Sequence, residues 1–223
     1  MKIISLKAEH ASDAARLHIS GQPGTFLTSL GIDALTVIYR VLPNSAGGFG
    51  FAACAATSHS GQLSASQQTP SQLKGFVSAT TSIGQLMMEM ATQHIFRIGP
   101  LLLRRFIQQP RLFIRTVQTL LYPMLSHSSA KDSPSLPSKS NISEPAVELL
   151  SIMVEPDQRG RGIGAELLDH LCQTCRDRSV SVVDVTVDSK NQGARRFYER
   201  NGFVHQSDFQ IFGRMMCSYR LRL

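Results

Sequence analysis

Residues 154–164 read Val-Glu-Pro-Asp-Gln-Arg-Gly-Arg-Gly-Ile-Gly, and no other stretch constrains the chain so sharply. An apolar run, Val147–Val154, leads in, and an amphipathic pattern from Gly164 to about Arg178 leads out. The segment therefore predicts a strand, a tight turn and a helix. Glycines at 160, 162 and 164 leave several N–H groups clear of side-chain bulk. The helix start adds unpaired N–H groups and a partial positive charge. Arg159 and Arg161 add full charges. Such a turn can cradle a pyrophosphate.

Gly160-x-Gly162-x-x-Ala165 also satisfies the dinucleotide fingerprint in its G-x-G-x-x-A form. Position argues against that reading. The turn lies in the last third of the chain, and the roughly 60 residues that follow are too few for the remaining βαβ units. Pro156 and Arg159 crowd its start. A second pattern follows where a ribose-binding acid does not belong: Asn191-Gln-Gly-Ala194-Arg-Arg-Phe197-Tyr198-Glu-Arg-Asn-Gly202-Phe203.

Together the two patterns closely resemble the GNAT superfamily of N-acetyltransferases. Arg159, Gly162 and Gly164 match its R-x-x-G-x-G signature, and Asn191–Phe203 matches its N-x-x-A-x-x-F-Y-E-x-x-G-F helix and strand start. The resemblance covers roughly Ala146–Leu223. It implies the α/β acyl-CoA N-acyltransferase fold of that superfamily, a mixed, mostly antiparallel sheet flanked by helices. It also implies acetyl-CoA as cosubstrate, with no metal. Ile152, Met153 and Val154 on the strand, Arg159, Gly160, Arg161, Gly162, Ile163 and Gly164 on the turn, and Asn191 are the positions it assigns to that cosubstrate. The backbone N–H of Val154 is the family position that donates to the thioester carbonyl. Tyr198 falls at the position of the acid that protonates the leaving thiolate. A phenol near pKa ~10 is still protonated at neutral pH and can do so.

Each of these residues also has a plain structural reading. Val154 is an ordinary strand residue, Tyr198 a core aromatic, and Asn191 a helix cap. The amine that attacks must lose a proton. Glu148, six residues before Val154, is expected on the same strand face and is the candidate base, since some relatives carry a glutamate nearby. A solvated or arginine-paired carboxylate explains Glu148 equally simply. Glu155 is expected to be exposed, and a mechanism without a side-chain base stays open.

A chain of 223 residues can bury one sizeable core. Its net charge of +7 suits anionic ligands, but no dense basic run interleaved with aromatics points to nucleic acid. Cys172 and Cys175 form a CxxC inside a helical pattern with no second pair, so they read as reduced packing thiols. The histidines show no ligand spacing. The N-terminus acquires charges too early for a signal peptide, and no apolar run is long enough to span a membrane. A cytoplasmic location is the expectation.

The whole chain, 1–223, reads as one domain. Strands are expected over Lys2–Lys7, Phe49–Ala55, Leu73–Thr80, Val147–Val154 and Val180–Val187, with helices from Ser12 to about Ser20 and from Thr28 to Leu42. Residues 57–72 read as a flexible loop, 81–125 as a helical insertion, 126–145 as a disordered linker and 146–223 as the acetyl-CoA-binding core. Within the insertion, Gln85–Ile98, Pro100–Gln108 and Arg111–Leu121 carry helical apolar spacing, with the prolines placed at helix starts. Short amphipathic helices need a surface to pack on. A roof over the acceptor cleft, a homodimer contact and a peripheral membrane patch are the three readings. The acceptor is expected to be a small-molecule primary amine, an amino sugar first among them. A protein N-acetyltransferase and a non-catalytic acyl-CoA sensor are the alternatives.

Overall fold

The computed structural model describes residues 1–55, 73–108, 144–211 and 213–223, without the side chains of 105, 106 and 108. The loop expected at 57–72, the helix at Arg111–Leu121 and nearly all of the 126–145 linker lie outside these residues.

Among the described residues seven strands form one sheet: β1 (Lys2–Ser5), β2 (Gly48–Cys54), β3 (Leu73–Thr80), β4 (Ala146–Val154), β5 (Val182–Asp188), β6 (Val204–Ile211) and β7 (Arg214–Arg222). Across the sheet they run β1-β2-β3-β4-β5-β7-β6. Every neighbouring pair is antiparallel except β4–β5. The helices are α1 (Ala11–Gly21), α2 (Phe26–Ser29), α3 (Ile32–Val41), α4 (Ile83–Gln93), α5 (Ile95–Gln108), α6 (Ile163–Asp177) and α7 (Gln192–Arg200). This is the mixed, mostly antiparallel α/β architecture expected.

The parallel pair positions the site. β4 and β5 are in register only from Ala146↔Val182 to Leu149↔Val185. Both strands continue, to Val154 and Asp188, so they splay apart. Past that point, no strand among the described residues lies beside the edge of β4 that faces β5.

One face of the sheet packs on α6. Leu167, Leu168, Leu171, Cys172 and Cys175 recur at helical spacing and are buried against Val77, Val147, Val183 and Val185. Each such large side chain contributes about 1.5–3 kcal/mol. Cys172 and Cys175 are unpaired thiols on this face, and burial pushes the Cys175 thiol up to about 11. The other face packs on α1 and α3 through Ala14, Leu17, Leu35 and Tyr39.

The helix expected over Thr28–Leu42 is two helices. Gly31, at φ +91°, separates α2 from α3, a backbone value that excludes a continuous helix. In the insertion, Ser82 caps α4 through its hydroxyl, 3.3 Å from the Gln85 nitrogen. Pro100 lies inside α5 rather than at a helix start. Leu86, Met90 and Ile98 are buried with Val41 and Leu42, and Leu102 and Leu150 are packed against them. The insertion helices therefore sit on α3 and the middle of β4, opposite α6. Leu86 and Met90 pack down, as the helical apolar spacing of the insertion implies.

Candidate active site

The strand leading into the glycine turn carries a bulge. Ser78 pairs with Ser151 and Ala79 with Leu149, so Leu150 is the extra residue. The alternation of side chains shifts across it. Val147 and Leu149 face α6 before the bulge; Ile152 and Val154 face α6 after it. Glu148 therefore does not share Val154's face. It lies on the opposite side of the sheet, as do Ser151, bonded to Tyr39, and Met153, packed with α1 and α3. The even spacing of 148 and 154 misled because a bulge inserts one residue into a period of two.

The backbone of β4 leaves alternate amides outside its ladder with β3. The Glu155 N–H donates to the Lys74 carbonyl at 2.9 Å. In an antiparallel ladder, bonded positions alternate, so the amides of Val154 and Ile152 point away from β3. That direction is the gap left by the splay from β5. The amide of Met153 points back into the sheet, and its side chain is buried against α1. Ile152 and Val154 thus offer N–H groups to the gap, whereas Met153 contributes packing.

After a 3-10 turn, Pro156–Gln158, the chain reaches the glycines. Gly160 and Gly162 have φ of +78° and +82°, and an added Cβ at either would meet nothing within 4 Å. Their requirement is conformational, and among the described residues the space above them is open. Gly164 differs: a Cβ there would meet the Phe197 ring at 3.3 Å. It is small so that α7 can dock on the start of α6. Gly162 is the N-cap of α6 and supplies no side-chain cap, which leaves the first-turn N–H groups without a cap among the described residues. Ile163 turns its side chain into the core, so only its backbone faces the turn. Arg161 is exposed. The Arg159 Nε donates to the Val154 carbonyl at 3.1 Å, tying turn to strand end. Open space, free N–H groups and two arginines match a diphosphate.

Glu155, expected to be exposed, is half-buried and paired with Lys74 at 2.7 Å. Asn191 caps α7, its Oδ1 accepting from the Ala194 nitrogen at 3.0 Å. Tyr198 is buried among Phe197, Phe203 and Tyr219. Burial holds its phenol above the usual range, so it keeps its proton. Val154, Phe197 and Tyr198 belong to one apolar cluster with Gly164's neighbourhood.

Glu148 stands where the β4–β5 pairing ends, opposite Asp184. Burial first, and the Asp184 charge second, raise its carboxyl to about 7, against a hydrogen bond from Thr186 that lowers it. Arg220 clamps Asp184 with two bonds, of 2.7 and 2.8 Å. These partners come from β5 and β7, and no spacing within the sequence could have announced them.

Two further arrangements escaped the sequence for the same reason. His18 Nδ1 lies 2.5 Å from the Tyr39 hydroxyl, which donates to Ser151 at 3.2 Å, a buried chain joining α1, α3 and β4. Burial lowers His18 to about 4, so it is neutral. On β6 and β7, His205, Asp208 and Cys217 hold potential metal-ligand atoms within 4.8 Å of one another. A bulge at Gln206 puts His205 and Asp208 on one face, and the pair is 2.8 Å apart. Hydrogen bonding among these groups accounts for the arrangement.

Residues 128–203 match the family model described as Acetyltransferase (GNAT) family. An uncharacterized N-acetyltransferase of Methanocaldococcus jannaschii is 42% identical over 78 residues, 34% of each chain. An L-amino acid N-acyltransferase of Escherichia coli is 35% identical over 54 residues, 24% of this chain and 31% of that one. The chain thus matches about a third of the length of these relatives. Over the whole fold, it resembles Arabidopsis thaliana NAA60 in complex with acetyl-CoA, with a TM-score of 0.57 at 15% identity, covering 100% of this chain and 98% of that one.

Proposed function

We propose that this chain, which belongs to the GNAT superfamily of acetyltransferases, moves the acetyl group of acetyl-CoA to a primary amine of a small molecule by direct attack. One observation carries the reading: the edge of β4 left unpaired among the described residues, with the Ile152 and Val154 amides, opens beside a turn whose Gly160 and Gly162 leave open space. Gly160, Gly162, Ile163 and Gly164 hold the diphosphate through backbone groups, with Arg159 and Arg161 supplying charge. Asn191 supports the same ligand from the start of α7. The Val154 N–H donates to the thioester oxygen as negative charge develops there. Glu148 takes a proton from the attacking amine, directly or through water. The new C–N bond forms, the C–S bond breaks, and Tyr198 gives its hydroxyl proton to the departing sulfur.

Amino sugars are the first acceptors to test, and the E. coli relative's name adds amino acids. Release of free thiol from acetyl-CoA across a panel of such amines tests the reading. Tight CoA binding without turnover on any amine would make the protein a sensor instead.

Glu148 gives two pH signatures. As a base it works only when ionised, so turnover should rise with pH through about 7. Glu148→Gln should flatten that acidic limb; an unaltered limb would assign it to the amine itself. The same shift affects stability. The carboxyl is raised from about 4.5 unfolded to about 7 folded, so its contribution is full below the lower value and lost as pH rises through the higher. That shift corresponds to as much as about 3 kcal/mol. Denaturant melts should show Glu148→Gln more stable than the parent at pH 8, with the difference vanishing near pH 4.

A further inference from the structure

α5 carries two apolar faces, and the fold uses only one. Ile98 and Leu102 turn inward, onto Val41, Leu42, Leu86 and Met90. Phe96, Pro100, Leu103 and Ile107 follow one another at intervals of four, three and four residues, so they share an arc of about 60° on the far side of the helix. Phe96 is 90% exposed, Leu103 60% and Ile107 74%. Isolated apolar residues on a surface need no explanation, but a helical row that includes a phenylalanine does.

Arg97 and Arg104, seven residues apart, border this row on one flank and are exposed. Among the described residues neither meets a carboxylate. Glu89 is the single acid in α4 and α5, and its carboxylate accepts from the Ala46 backbone at 3.2 Å, away from the row. The protein as a whole carries +7. Two copies meeting through this face would set arginine against arginine with no acid between them. A layer of anionic headgroups over hydrocarbon offers what both features lack: charge for the arginines and an apolar phase for the row. No helix among the described residues is long and apolar enough to cross a membrane.

We propose that the outer face of α5 docks on an anionic lipid surface, with Phe96, Leu103 and Ile107 entering the acyl boundary and Arg97 and Arg104 at the headgroups. The proposal does not depend on acetyl transfer. Co-sedimentation of the full chain with vesicles tests it, using phosphatidylcholine alone and phosphatidylcholine mixed with phosphatidylglycerol. Binding should be at least tenfold stronger on the anionic vesicles and should weaken with salt. Phe96→Glu/Leu103→Glu should abolish it, while Arg97→Gln/Arg104→Gln should erase the preference for anionic lipid. Thermal melts and CoA binding, which this face should leave unchanged, confirm that each variant is folded. Absence of binding to either vesicle, or undiminished binding of the Phe96→Glu/Leu103→Glu variant, overturns the proposal. So does a dimer in gel filtration that this variant splits, since the face would then belong to a second copy.

Discussion

Tyr198→Phe should lower turnover by about 10²–10⁴-fold, the usual contribution of a general acid, and leave acetyl-CoA affinity within a few-fold of the parent. The substitution removes one oxygen and keeps the ring that packs with Phe197, Phe203 and Tyr219. The buried phenol holds its proton across the working pH range, so it is a donor at every pH where the amine reacts. The loss should therefore be nearly independent of pH, unlike the loss on changing Glu148. Steady-state kinetics on an active amine would measure both quantities. A fall of less than threefold would leave Tyr198 as a packing residue, and the thiolate would then depart unaided or take its proton from water.

Gly162→Glu should weaken CoA binding at least tenfold. Two effects act together. Gly162 has φ +82°, where an L-residue is strained by about 1–2 kcal/mol, and the turn would shift to relieve it. The carboxylate would then stand in the open space above the turn, against the diphosphate. Loss of a hydrogen bond to a charged group costs about 1.5–3 kcal/mol, which alone is of tenfold size or more. Gly162→Ala separates the two, because its Cβ would touch nothing and only the backbone strain remains. Calorimetry should rank affinity parent, alanine, glutamate. Unchanged affinity in a folded Gly162→Glu protein would move the diphosphate elsewhere.

The local parts of this protein were determined by the sequence. Gly160 and Gly162 demand positive φ, Asn191 caps a helix, and the apolar spacing from Leu167 to Cys175 makes one buried face. These features depend on residues a few positions apart, so spacing exposes them, and the resemblance in Ala146–Leu223 was legible for that reason. Where spacing must be converted into position in space, the tertiary structure decided. The bulge at Leu150 moved Glu148 to the face opposite the Val154 side chain, because one extra residue reverses a period of two. The raised Glu148 carboxyl depends on Asp184 and Thr186, brought beside it by a parallel pairing across a long connection. The splay of β4 from β5 frees the Ile152 and Val154 amides, and it arises from where two strands stop pairing. Packing likewise decided which apolar face of α5 the core would use, since its residues satisfy helical spacing on both sides.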